Sequence, residues 1–180
     1  MNLANKLTML RIFLIPVFMI FLLIKIPYGD IIATVIFIFA ASTDGLDGYI
    51  ARKRKEITNL GKLLDPLADK MLVTTGLVAL VELGRIPAWV VIIILAREFF
   101  VTGLRGVAAA EGVVIAASKI GKVKTVSQIV AIVFIMLEDY IEPLLGGFPI
   151  GNCILAVAVF FTLYSGYDYI KKAYDQIEME

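Results

Sequence analysis

Four aspartates carry the most concentrated chemistry in this sequence. Asp44 and Asp47 stand three apart in STDGLDGYIAR (42–52), and Asp65 and Asp69 stand four apart in LGKLLDPLADKML (60–72). On a helix those spacings bring the members of each pair onto one face. Four carboxylates at close quarters cannot all stay ionised without cations, and no cluster of lysines shares the same faces. A hard divalent ion is the simplest counter-charge, and Mg²⁺ favours carboxylates that it shares with substrate phosphates. Two such ions, about 3.5–4 Å apart, suit an in-line phosphoryl displacement.

The neighbours of the acids fit that chemistry. Gly45, Gly48 and Ala51 strip bulk from the helix beside them, and a helical glycine costs about 1 kcal/mol relative to alanine. Close approach of a nucleotide or pyrophosphate would explain that cost. Arg52 ends the segment with a planar fork matched to phosphate. Each residue taken singly has a plainer reading. The glycines can be helix-packing residues, Asp47 an inter-helix hydrogen-bonding group, and Asp65 the cap of a helix started by Pro66. None of these accounts for four aspartates in one place.

The elements that must position them are membrane helices. Of 180 residues, 60% are hydrophobic and only 18% charged, and the mean hydropathy is +0.91. A soluble domain carries about 25% charged residues. The lone Cys153 excludes an internal disulfide, and the absence of histidine removes the usual general base and metal ligand. Catalysis then falls to carboxylates, Lys, Arg, Tyr or metal ions. Six apolar runs, roughly 8–26, 31–51, 66–83, 87–105, 124–141 and 150–169, are each long enough to span hydrocarbon. They predict an all-α, six-helix, multi-pass membrane protein forming a single domain over 1–180, with a kink expected at Pro16. The N-terminal run is read as a retained first helix rather than a signal peptide.

Charge sets the orientation. Fifteen of the seventeen Lys and Arg residues fall on one side of these spans, leaving Lys25 and Arg85 on the other. The positive-inside rule puts both termini and the 52–65 loop in the cytoplasm. The aspartate pairs then lie at the cytoplasmic ends of the second and third helices. Tyr164, Tyr167 and Tyr169 suit an interfacial aromatic belt.

At this point the residues resemble a family. Asp44 through Arg52, Gly61, Asp65 and Asp69 meet every fixed position of D-x2-D-G-x2-A-R-x8-G-x3-D-x3-D, the signature of the CDP-alcohol phosphatidyltransferases. NLANKLTMLRIFLIP at the start and AREFFVTGLRGVAAAEGVVIAASKIGKVKTVSQ at 96–128 are similar to bacterial members that use glycerol 3-phosphate. The resemblance implies a six-helix fold, a homodimer in a bacterial cell membrane, and an active site at the cytoplasmic face. It implies that Asp44, Asp47 and Asp65 bind Mg²⁺ or Mn²⁺, two ions in all, and that Asp69 is the base with a possible metal contact. Gly48 and Arg52 would contact CDP-diacylglycerol, with Gly45 and Ala51 giving it room. The implied reaction transfers the phosphatidyl group to sn-glycerol 3-phosphate, releases CMP, and involves membrane lipids but no nucleic acid.

The acceptor is an anion and needs cations of its own. Arg97, Arg105, Lys119, Lys122 and Lys124 are the candidates, against the plainer reading of positive-inside charge on anionic headgroups. Arg97 lies deep in the fourth helix and needs a partner; Glu98 is adjacent but is expected to point elsewhere. Asn5, Thr8 and Arg11 share one helix face and could line the nucleotide site or serve as a cap and anchor. Thr58 could touch a donor phosphate. Three rivals remain. One is the same chemistry on inositol phosphate or serine. Another is a prenyltransferase, although that class carries its two aspartate motifs far apart in sequence. The third is a small cation transporter, which leaves the glycines and arginine unexplained.

Overall fold

The computed structural model describes residues 3–24, 26–54, 59–110, 112 and 119–177, and their side chains apart from 3–4, 44–54, 59–63, 65, 119 and 172–177. The described residues are helical: α1 (Leu3–Leu23), α2 (Gly29–Arg54), α3 (Asn59–Glu82), α4 (Ala88–Ala110), α5 (Lys119–Met136), the short α6 (Glu138–Ile141), a 3₁₀ turn (Pro143–Leu145) and α7 (Ile150–Ile177). The Asn5–Leu23 and Ile150–Lys171 segments are long and apolar enough to cross a membrane. Large apolar side chains also face outward on several helices, among them Phe13, Val35, Trp89, Ile92, Phe99 and Phe160. A water-facing monomer does not tolerate so wide an apolar surface. This is a membrane protein.

The core lies between α1, α2, α3, α4 and α5, with Phe18, Phe37, Leu77, Leu80, Ile94 and Ile132 fully or almost fully buried. Phe18 and Phe37 meet edge to face at 5.6 Å between centroids, the arrangement that aromatic quadrupoles favour. α7 packs against α5 and α4. Its start comes so close to α5 that a Cβ on Gly151 would sit 3.0 Å from the Ile135 backbone nitrogen.

Two helix boundaries differ from the sequence expectation. α3 begins at Asn59, seven residues before Pro66, so Asp65 and Pro66 lie inside the helix rather than at its start. Pro66 removes one backbone donor there, which the neighbouring turns of α3 tolerate. The run expected over 124–141 is broken: α5 stops at Met136 and α6 starts at Glu138. The cause is a side chain 50 residues away. Gly84, with φ +72°, closes α3 in a left-handed turn, with Arg85 N–H bonded to Leu80 C=O and Gly84 N–H to Val81 C=O. This delivers Arg85 to the end of α5, where Nη1 donates to the carbonyls of Ile135 (3.2 Å) and Met136 (2.9 Å). Those carbonyls lie at the helix C-terminus, where intrahelical donors run out. α1, by contrast, runs through Pro16 as one continuous helix.

Arg85 also binds Asp30 (3.2 Å), Glu138 (3.2 Å) and Asp139 (2.7 Å) while only 13% exposed. One guanidinium therefore joins α2, the α3–α4 turn and the α5–α6 junction. Removing one partner of a desolvated charge network costs about 3–5 kcal/mol. Arg85→Leu is expected to lower the thermal midpoint in detergent by roughly 6–20 °C, at about 2–4 °C per kcal/mol. A fluorescence melt checks it.

Candidate active site

The signature residues occupy the end of α2 and the first half of α3, at the end of the bundle opposite Arg85. Asp44 and Asp47 lie in the last turns of α2, and Asp65 and Asp69 in the second and third turns of α3. The side chains of Asp44, Gly45, Asp47, Gly48, Ala51, Arg52 and Asp65 lie outside the described residues, as does Thr58 altogether. Asp69 is described, and it is half-buried.

α1 braces the approach to the first aspartate. Asn5, Thr8 and Arg11 are buried on one face of that helix, Arg11 and Thr8 completely. Arg11 Nε donates to Ala40 C=O and to Thr43 Oγ1, both at 3.2 Å. The Thr43 hydroxyl in turn donates to Ala40 C=O at 2.6 Å. The α1–α2 interface is thus locked one residue before Asp44, which fixes the register at which the acidic segment leaves the core.

Asp69 stands where two cavities meet. The larger, of about 490 Å³, is bordered by Asp69, Lys70, Arg97, Glu98, Arg105, Lys122 and Tyr169. A small inner one of about 40 Å³ adds Lys124 and Gln128, and Asp69, Lys70, Glu98 and Thr125 border both. Four basic side chains against two acidic ones line the larger cavity. That excess of positive charge, beside a carboxylate, suits an anionic substrate with a group to deprotonate.

Arg97, Arg105 and Lys122 border the larger cavity and Lys124 the smaller one; the Lys119 side chain lies outside the described residues. Their roles divide by exposure. Arg105 and Lys122 are exposed at the mouth, while Lys124 is 4% exposed behind the wall. Lys70 donates to Thr102 Oγ1, and that hydroxyl donates to the Glu98 carbonyl. Buried hydrogen bonds extend the lining inward, with Gln128 Nε2 donating to Thr162 Oγ1 at 3.0 Å.

Glu98 corrects the sequence expectation. It does not point away from Arg97: Oε1 accepts from Arg97 Nη1 at 3.0 Å and also from Lys124 Nζ. Successive helix positions diverge by about 100°, but two long side chains bend toward each other along the α4 surface. The available signal was the Arg–Glu dipeptide deep in an apolar helix, where each charge requires a counter-charge. Tyr169 is a second correction. Tyr164 and Tyr167 are exposed as a belt requires, but Tyr169 is 4% exposed. Its ring lies under the Arg97 guanidinium, 5.4 Å from centroid to Cζ. Arg97 Nε and Nη2 are buried with no hydrogen-bond partner among the described residues. A buried, unsatisfied guanidinium nitrogen is costly.

An all-helical membrane protein with paired aspartates on adjacent helices, and a cationic cavity around the last of them, has the layout of a membrane phosphotransferase. The chain belongs to the CDP-alcohol phosphatidyltransferase family, whose sequence profile matches residues 1–164. It is 45% identical to the CDP-diacylglycerol–glycerol-3-phosphate 3-phosphatidyltransferase of Bacillus subtilis, over 98% of this chain and 97% of that protein. The protein of the same name from Rickettsia bellii is 38% identical over 94% of both chains. A probable phosphatidylglycerophosphate synthase of Mycobacterium tuberculosis is 39% identical over 96% of this chain and 81% of its own length.

Proposed function

We propose that this chain transfers the phosphatidyl group of CDP-diacylglycerol to sn-glycerol 3-phosphate, giving phosphatidylglycerophosphate and CMP. The observation that carries the reading is the cationic cavity around Asp69, in a chain 45% identical over nearly its whole length to an enzyme of that name. The six long helices cross the bilayer, with both termini and the cavity in the cytoplasm; the one-sided distribution of Lys and Arg supports this. As in the family, the working unit is proposed to be a homodimer.

Asp44, Asp47, Asp65 and Asp69 form an all-carboxylate donor set, which fits hard divalent ions such as Mg²⁺ or Mn²⁺ and not a soft metal. Bound there, two ions would neutralise the diphosphate and stabilise the leaving CMP. The remaining chemistry belongs to side chains. Gly45, Gly48 and Ala51 leave room for the cytidine end of the donor, Arg52 and Thr58 contact its phosphates, and Arg11 with Asn5 and Thr8 fixes the helix that presents it. Arg97, Arg105 and Lys122, with Lys119, hold the phosphate of the acceptor, while Lys124 pairs with Glu98 behind them. Asp69 takes the proton of the acceptor's 1-hydroxyl as that oxygen bonds to the lipid-side phosphorus and the bond to CMP breaks. With no histidine in the chain, a carboxylate within reach of that hydroxyl is the natural base.

CMP release from CDP-diacylglycerol, measured with glycerol 3-phosphate, serine or inositol phosphate as acceptor and with or without a chelator, tests the proposal. Turnover is expected with glycerol 3-phosphate alone, abolished by EDTA and restored by Mg²⁺. Turnover with serine but not with glycerol 3-phosphate overturns the assignment, and turnover unaffected by the chelator overturns the metal.

A further inference from the structure

Arg97 is held from α7, a helix to which the signature contributes nothing. The stem of Arg97 runs into a notch at Gly166, where an added Cβ would lie 3.2 Å from Arg97 Cγ and 3.9 Å from Nε. One turn further along the same face of α7, the ring of Tyr169 lies under the guanidinium at 5.4 Å. That ring is itself fixed, packed against Val101, Leu104 and Ala108 on the face of α4 that continues from Arg97. Glu98 takes Nη1 from the third side at 3.0 Å. Stem, plane and one edge of Arg97 are therefore constrained, and α7 supplies two of the three constraints.

We propose that Gly166 and Tyr169 are positioning residues for the acceptor's phosphate: they hold Arg97 against the wall of the cavity, so that an anion meets a guanidinium already ordered. The inference rests on the acceptor reading of that cavity. An arginine ordered on folding loses its rotamer freedom before the substrate arrives, so less binding free energy is lost in ordering it. The ring face adds an attraction that a leucine cannot supply. A side chain at Gly166 displaces the stem and with it the guanidinium.

The test is steady-state kinetics on Gly166→Ala, Gly166→Leu, Tyr169→Leu and Tyr169→Phe, with Arg97→Ala alongside. Each variant is first checked for a single species in detergent and for its thermal midpoint. Gly166→Leu and Tyr169→Leu are expected to raise KM for glycerol 3-phosphate about tenfold, the factor that corresponds to about 1.4 kcal/mol. KM for CDP-diacylglycerol and kcat stay within about twofold, because the donor is assigned to the end of α2 and Asp69 is carried by α3, and neither helix is altered by these substitutions. Tyr169→Phe keeps the ring face and stays near the parent, and Gly166→Ala gives a smaller rise in the same direction, which serves where Gly166→Leu does not fold. Equal losses in kcat and both KM values, or an unchanged acceptor KM in folded variants, overturn the inference. If Arg97→Ala raises the acceptor KM while the α7 variants do not, only the role of α7 fails. If Arg97→Ala also leaves it unchanged, the acceptor reading fails with it.

Discussion

Asp69→Asn is expected to reduce CMP release from CDP-diacylglycerol by about 10²–10⁴-fold, the usual contribution of a positioned general base, while the protein still folds. A thousandfold loss corresponds to about 4 kcal/mol of transition-state stabilisation. Asp69 is half-buried on α3 and borders both cavities, so it can reach a hydroxyl held in the larger one without leaving its helix. Asparagine keeps the volume and one acceptor oxygen but cannot take a proton. The predicted signature is a fall in kcat with little change in either KM, as expected when an interaction made only in the transition state is lost. Rescue by excess Mg²⁺ would instead mark Asp69 as a ligand alone. Retained activity at ordinary Mg²⁺ removes it from the mechanism. The measurement is CMP release at saturating donor and acceptor, with the thermal midpoint as the fold control.

The placement of the two aspartate pairs at one end of the bundle was legible because their spacing is local. Pairs at three and four residues, on two helices close in sequence, define a shared end without knowledge of any distant contact. The bias of Lys and Arg was legible for the same reason, since it requires only counting along the chain. The features that escaped depend on residues far apart in sequence. The end of α5 is set by Arg85, 50 and 51 residues before the carbonyls it binds, and nothing in the 124–141 run announces it. Pro66 marked a plausible helix start, yet α3 begins at Asn59, because the missing donor of one proline does not prevent a helix whose flanking turns continue. Tyr169 carried the same aromatic signal as Tyr164 and Tyr167; only the phase of α7 against α4 turns it inward. Glu98 escaped through a rule applied too strictly. Neighbouring helix positions diverge, but Arg and Glu are long enough to meet around the helix, and Lys124 arrives from α5 to share the same oxygen.

Arg97→Ala carries the largest expected effect on acceptor recognition. A hydrogen bond to a charged group is worth about 1.5–3 kcal/mol, so losing two of them to a phosphate is expected to raise KM for glycerol 3-phosphate by about 100-fold or more. The fold should survive, because Glu98 keeps Lys124 as its counter-charge and is not left as an unpaired buried carboxylate. KM for CDP-diacylglycerol should stay near the parent value, since the donor is assigned to the end of α2. Arg97→Lys is expected to recover little of the loss despite its charge. An ammonium has no planar fork for two phosphate oxygens, and Glu98 would attract it alongside Lys124, drawing both cations to one carboxylate. Inorganic phosphate gives an independent readout: it should compete with glycerol 3-phosphate in the parent protein and compete far more weakly in Arg97→Ala. Equal inhibition of the two proteins by phosphate would place the acceptor's anion elsewhere in the cavity, at Arg105 and Lys122, and remove Arg97 from recognition.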